Sequence, residues 1–215
     1  MSSNATIRPG YIHHIFLRTK RFDAMRAFYK LVLGCEPFFE NEMFSWLSFD
    51  REHHRIAIAN MPQSQDQAPT QEGLDHVGYQ YAGPEDLFAT YERLRDVGVE
   101  PYWCTDHGGT TSFYYKDPDG NGLELQYDNY PNREALLEWM KGGDFARNPI
   151  GVDVDPERLI ETFRTGLDRL ELHQRSRRGD FLPEGMSMAA PAAPFPADPV
   201  GYMISIRQAV GAGPE

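Results

Sequence analysis

Histidine is spread unevenly along the chain. There are seven, and six precede residue 108: His13, His14, His53, His54, His76 and His107, with His173 alone beyond. Tyrosine and phenylalanine are also concentrated before residue 131, so any chemistry is expected in the first 130 residues. His14 and His76 are 62 residues apart, and each takes the third or fourth place of an apolar string, YIHHIFLR and LDHVGYQY. Glu124 falls in GNGLELQYD. Two neutral imidazoles and one carboxylate leave several positions of an octahedral ion open, which is the facial triad of non-haem Fe(II) oxygen-activating enzymes. His14, His76 and Glu124 are therefore the candidate metal ligands, with Mn(II) suited to the same donors. A single histidine or glutamate in a strand is more often an ordinary core or surface group. The weight lies in their recurrence at equivalent places of a repeat.

That repeat must be built by the elements around it. Residues 11–18 are apolar and aromatic-rich and predict a strand. In 22–33, Phe22, Met25, Phe28, Tyr29, Val32 and Leu33 fall on one helical face, and Gly34 is a stop signal. Strands are expected at about 36–40, 43–50 and 54–60. A polar loop follows at 62–73, and the pattern then restarts. A strand is expected at 74–81, and a helix at 84–97 between Pro84 and Gly98. Strands follow near 100–104, 110–116 and 122–127, with the tight turn DPDGNG at 117–122. The expected fold class is α+β: two βαβββ modules, about 11–61 and 73–128, whose sheets form a half-closed barrel around a shared site. Strand alternation would send His53 and His54 to opposite faces, His54 inward with Ile56 and Ile58. Residues 131–215 form an extension. It has a short helix at NREALLEWMKGG, a helix from Asp155 to about 173, and a Pro/Ala-rich stretch after 178 that the chemistry should not need.

Composition bounds the partners. The chain has 215 residues, with Lys+Arg 21 against Asp+Glu 32 for a net charge of -11, which argues against a nucleic-acid partner. No apolar run approaches the ~20 residues of a membrane span, and the start does not resemble a secretion signal. Cys35 and Cys104 are expected as free thiols in a reducing, cytoplasmic setting.

One stretch is more specific than the rest. TDHGGTTSFYYKDPDGNGLE, residues 105–124, resembles the signature of extradiol ring-cleavage dioxygenases within the vicinal oxygen chelate (glyoxalase/bleomycin resistance/dioxygenase) superfamily. His107, Phe113, Tyr114, Asp117, Pro118, Gly120 and Glu124 match its elements. The resemblance covers roughly 8–130 and is to the one-domain members.

It implies Fe(II) on His14, His76 and Glu124, O2 as co-substrate, and a small aromatic diol as substrate. It further implies His107 and Tyr114 at the substrate hydroxyls and His54 as an acid/base. The product would be a muconic semialdehyde-type compound, and the small members often form homo-oligomers. Trp46, Phe16 and Tyr79 are candidate ring contacts, though core packing suits them equally. Two alternatives stand beside this reading. A glyoxalase-like isomerase or lyase commonly has a fourth ligand, a carboxylate on the first module's last strand, which HRIAIANM lacks. A small-molecule-binding resistance protein generally lacks the metal set.

Overall fold

The computed structural model describes residues 8–68 and 72–188. The chain divides into two compact units. The first is 1–73 with Asp117–Gly120, and the second is 74–116 with 121–215.

In the first unit the order is β1 (Ile15–Thr19), α1 (Phe22–Leu33), β2 (Glu36–Glu40), β3 (Phe44–Ser48) and β4 (Ile56–Asn60). The sheet order is β1-β4-β3-β2, with β1 parallel to β4 and the other pairs antiparallel. The apolar stripe of α1 is what folds this unit. Phe22, Met25, Tyr29 and Val32 are buried with Leu47, Ile56 and Ile58 of the sheet. Each such side chain contributes about 1.5–3 kcal/mol of burial. Gly34 ends α1 in the left-handed region at φ 63, as its position suggested. The Asp117–Gly120 turn groups with this unit: Tyr29 Oη donates to Asp117 Oδ2 at 3.1 Å and Arg21 Nη1 to Asp119 Oδ1 at 2.8 Å.

In the second unit β5 (His76–Gln80), α2 (Pro84–Arg95), β6 (Trp103–Asp106), β7 (Thr110–Lys116) and β8 (Gly122–Asp128) repeat that topology. The extension follows with α3 (Arg133–Lys141), α4 (Asp144–Arg147), β9 (Val152–Asp153), α5 (Pro156–Phe163) and α6 (Arg169–Arg177). The sheet order is β5-β8-β7-β6-β9, with β5 parallel to β8. Each module thus pairs its first strand with its last, and each sheet is open. Period-two alternation sorts the faces. Phe113, Tyr115, Leu123, Leu125 and Tyr127 are buried with Leu87, Phe88 and Tyr91 of α2, and Phe113 lies against the rings of Phe88 and Tyr91. Ser112, Tyr114, Glu124 and Gln126 take the other face.

Three expectations need correction. β4 begins at Ile56, and residues 51–55 are bent rather than extended, so strand alternation does not govern His53 and His54. The helix expected from Asp155 to about 173 is two helices. Gly166 at φ 98 stops the first, and Asp168 caps the second by accepting from Glu171 N at 2.8 Å. The stretch after 178 is not loose throughout, because Phe181 is 2% exposed and its carbonyl accepts from Asp155 N at 2.6 Å. Tyr202-Met203-Ile204, a candidate docking segment by sequence, lies outside the described residues. Cys35 and Cys104 are free and buried, and burial pushes the Cys35 thiol up to about 12.

Candidate active site

The second unit gathers four of the residues singled out by sequence. Tyr114 on β7 and Glu124 on β8 are direct cross-strand partners. Tyr114 Oη donates to Glu124 Oε1 at 2.7 Å. Across the parallel β5–β8 pair, His76 Nε2 lies 3.1 Å from Glu124 Oε2. His107 follows β6 directly, and its Nε2 lies 2.8 Å from Tyr114 Oη and 3.9 Å from Glu124 Oε1. Trp103 stacks on Tyr114 with ring centroids 4.7 Å apart and meets His107 edge-on at 5.3 Å.

Backbone register makes this possible. Gly122 pairs with His76, and a Cβ there would stand 2.5 Å from Asp75 O and 2.9 Å from His76 Cβ. Gly122 therefore lets the two strands approach where the imidazole must sit. Its value is clearance, whereas the sequence suggested only turn flexibility.

Partners on the far side of each ring fix its orientation. Asp75 Oδ2 lies 2.7 Å from His76 Nδ1, so Nδ1 carries a proton and Nε2 faces Glu124. The main-chain carbonyl of Ile150 accepts from His107 Nδ1. Burial pushes the Glu124 carboxyl up, but hydrogen bonds from His76, Tyr114 and Ser112 outweigh it and hold the group at about 2. The hydrogen bond with Glu124 raises His76 against its partial burial, with Asp75 adding to the effect. Burial lowers His107 against the opposing Ile150 carbonyl and the charges of Glu124 and Asp106.

His14 and His54 belong to the first unit, in a cluster with His13 and His53. His14 directly precedes β1, as His76 opens β5. His14 and His54 have ring centroids 4.5 Å apart, and Trp46 stacks on His54 at 4.9 Å. His53 and His54 approach through their Nδ1 atoms at 2.6 Å, and His13 and His14 through theirs at 3.1 Å. Ring nitrogens of His13, His53 and His54 lie within 4.8 Å of one another, close enough to share a cation. Burial, then the charges of His14, His53 and His13, lower the His54 pKa. Of the other aromatic candidates, Phe16 is 52% exposed.

Residue types alone did not disclose Asp75, Ile150 or the group beneath His107. Asp106, fully buried, accepts from Gly108 N at 2.7 Å and pairs with His173 Nδ1 at 2.8 Å, while Asn129 Nδ2 reaches Gly108 O at 3.2 Å. The one clue was His173 itself, the only histidine outside the histidine-rich half.

Paired βαβββ modules with imidazole and carboxylate donors gathered on an open sheet face define a vicinal oxygen chelate protein. A family model for the Glyoxalase/Bleomycin resistance protein/Dioxygenase superfamily matches residues 11–125, just over half of the chain, and the chain belongs to that superfamily. Biphenyl-2,3-diol 1,2-dioxygenase 2 of Rhodococcus globerulus is 37% identical over 163 residues, covering 74% of this chain and 86% of its own. Biphenyl-2,3-diol 1,2-dioxygenase 3 of the same organism is 36% identical over 173 residues, covering 80% and 90%. A glyoxylase/bleomycin resistance protein/dioxygenase domain from Frankia sp. EAN1pec, of known structure, aligns with a TM-score of 0.49 at 17% identity over 56% of this chain and 99% of its own.

Proposed function

We propose that this chain cleaves a catechol-type ring beside its vicinal hydroxyls, using O2 and an Fe(II) held by His14, His76 and Glu124. It is an extradiol ring-cleavage dioxygenase, in keeping with relatives named for biphenyl-2,3-diol. The observation that carries the reading is the continuous array His76–Glu124–Tyr114–His107, which sets a metal-type donor pair beside a proton-handling pair. The donor chemistry fits a first-row divalent cation. One imidazole and one carboxylate converge with Asp75 behind the imidazole, and neither donor is a thiolate. The third ligand, His14, rests on the repeat: it stands at the place in the first module that His76 takes in the second. Mn(II) would suit the same donors.

Bound there, Fe(II) would bring diol and O2 to one centre and carry electrons between them, so that no external reductant is needed. The chain's own residues handle protons and orientation. His107 presents Nε2 to the site beside Tyr114 Oη, placed to exchange a proton with a substrate hydroxyl. Tyr114, held between His107 and Glu124, hydrogen-bonds the diol oxygen as charge develops on it. Trp103 packs against both rings. His54, neutral and stacked on Trp46, takes up a proton and returns it during ring opening. The glyoxalase-like alternative finds no carboxylate in β4, whose sequence is IAIAN. Homo-oligomerisation is part of the proposal, supported by exposed Phe16, Phe38, Phe39 and Met43 on the first unit.

The test is anaerobic reconstitution with Fe(II), then oxygen uptake against a panel of catechols that includes biphenyl-2,3-diol. Stoichiometric uptake with a semialdehyde whose colour changes with pH is expected. A diacid product, or no uptake by iron-loaded protein, would overturn the reading.

A further inference from the structure

His13 and His53 have no part in the proposed chemistry, yet each abuts a residue that does. His13 meets His14 through Nδ1 at 3.1 Å, and His53 meets His54 through Nδ1 at 2.6 Å. Each contact has room for one proton only, because an N–H needs a lone pair opposite it. The rings also converge across the two pairs, with centroids 4.7 Å apart for His13 and His53 and 5.0 Å for His13 and His54. One ring nitrogen of each of His13, His53 and His54 lies within 4.8 Å of the other two. His14, the ring assigned to iron, is outside that set.

Three imidazoles without a thiolate suit a borderline divalent cation, and Zn(II) binds such a set with its fourth position open. At Zn–N of about 2.0–2.1 Å, the nitrogens around a tetrahedral ion stand roughly 3.4 Å apart. Rings already within 4.8 Å reach that spacing by small side-chain rotations, and two of them have the freedom to turn. His53 is exposed and His13 half-buried, which also gives the ion a way in. His54 is the buried member, stacked on Trp46, and Phe38 lies against His53 at 5.9 Å. Beside His13, Glu52 Oε2 stands 3.6 Å from Nε2. A carboxylate next to a ligating imidazole strengthens its hold on a cation. We propose that His13, His53 and His54 form a second metal site, separate from the iron ligands, that takes Zn(II) and is inhibitory. The ion would occupy a ring nitrogen of His54 and so block the proton transfer assigned to that ring. The binding stands without the dioxygenase reading, and the inhibition rests on it.

The test starts from metal-free full chain dialysed against Zn(II) at neutral pH, with zinc content measured. Wild type should hold about two Zn(II) per chain, one at the iron ligands and one at the cluster. His13→Gln and His53→Phe should each lose the cluster zinc, and His76→Ala should keep it. Equal zinc content in wild type and both cluster variants would overturn the site. A cluster zinc in wild type with no loss at all in His76→Ala would uphold the site and fail the iron-ligand reading. In iron-loaded enzyme, Zn(II) should inhibit diol-dependent oxygen uptake while the iron stays bound. His53→Phe should need at least roughly ten-fold more Zn(II) for half-inhibition. Inhibition that tracks loss of iron, or that is unchanged in His53→Phe, would overturn the inhibitory role.

Discussion

His53 and His54 are chain neighbours in unlike surroundings. His54 is 8% exposed and stacked on Trp46, whereas His53 is exposed. An acid/base contributes typically 10²–10⁴-fold to rate. His54→Phe should therefore lower kcat by roughly two orders of magnitude or more while iron and diol binding persist, and His53→Phe should leave kcat near wild type. Steady-state kinetics at equal iron loading decides between them, and the reverse ranking would hand the role to His53. The ligand assignment is checked by metal content. Wild type should hold about one Fe(II) per chain, and His76→Ala and Glu124→Ala should each lose both iron and turnover. Full occupancy in either variant would remove that residue from the ligand set. At this scale the four side chains that the second unit brings together, His76, His107, Tyr114 and Glu124, were all named from the sequence, whereas the Asp75 carboxylate behind His76 was not. The sequence was also silent on Ile150, whose contribution is a carbonyl that any residue type would carry.

Among the elements, legibility followed periodicity. The α1 stripe gave the helix, and the β-rich segments near 110–116 and 122–127 gave the strands on which Tyr114 and Glu124 prove to be cross-strand partners. Where no period runs, the reading slipped. The bend at 51–55 hid the true start of β4, and two-residue β9 carries no pattern at all. The Thr165-Gly166-Leu167-Asp168 string was a stop and a cap that the apolar spacing around it masked.

The joint between α2 and α5 offers a pH-dependent prediction. Glu157 accepts from Arg95 Nη1 at 2.6 Å and from Tyr91 Oη at 2.9 Å. The Arg95 hydrogen bond, ahead of the opposing effect of burial, holds its carboxyl below the ordinary 4.5. A lowered folded value means the unfolded chain binds the proton more readily. The contribution is thus full above about 4.5 and disappears as pH falls through the folded value. Glu157→Gln should unfold at lower urea than wild type at pH 7, and the two midpoints should converge as pH drops below 4. Parallel curves across that range would remove the ion pair from the stability of the joint.

Taken whole, the second unit depends on chain well past its last strand of chemistry. Phe181 is buried, its carbonyl accepts from the N-cap residue of α5, and Arg158 donates to the carbonyls of Asp180 and Leu182. Ending the chain after 178 removes a side chain whose deletion from a core costs about 3–5 kcal/mol. That truncation should melt at lower temperature, whereas ending after 188 should keep both melting temperature and kcat. Equal melting of the two truncations would show that Phe181 packs without consequence. The sequence boundary near 178, drawn from composition, is therefore moved by one buried aromatic.

The superfamily match stops at residue 125, but the carbonyl that meets His107 arrives at residue 150 and the arginine that steadies it at 177. A cassette cut at the family boundary would carry every side chain of the proposed chemistry and leave behind the carbonyl that meets His107 Nδ1. Chimaeras that join residues 1–130 of this chain to the extension of a relative should load iron normally yet turn over slowly, unless the donor brings its own carbonyl to Nδ1. Chimaeras joined after 188 should run at the parental rate. The portable unit of this enzyme is thus longer than the portable unit of its fold, and recombination between relatives would be expected to respect the longer one.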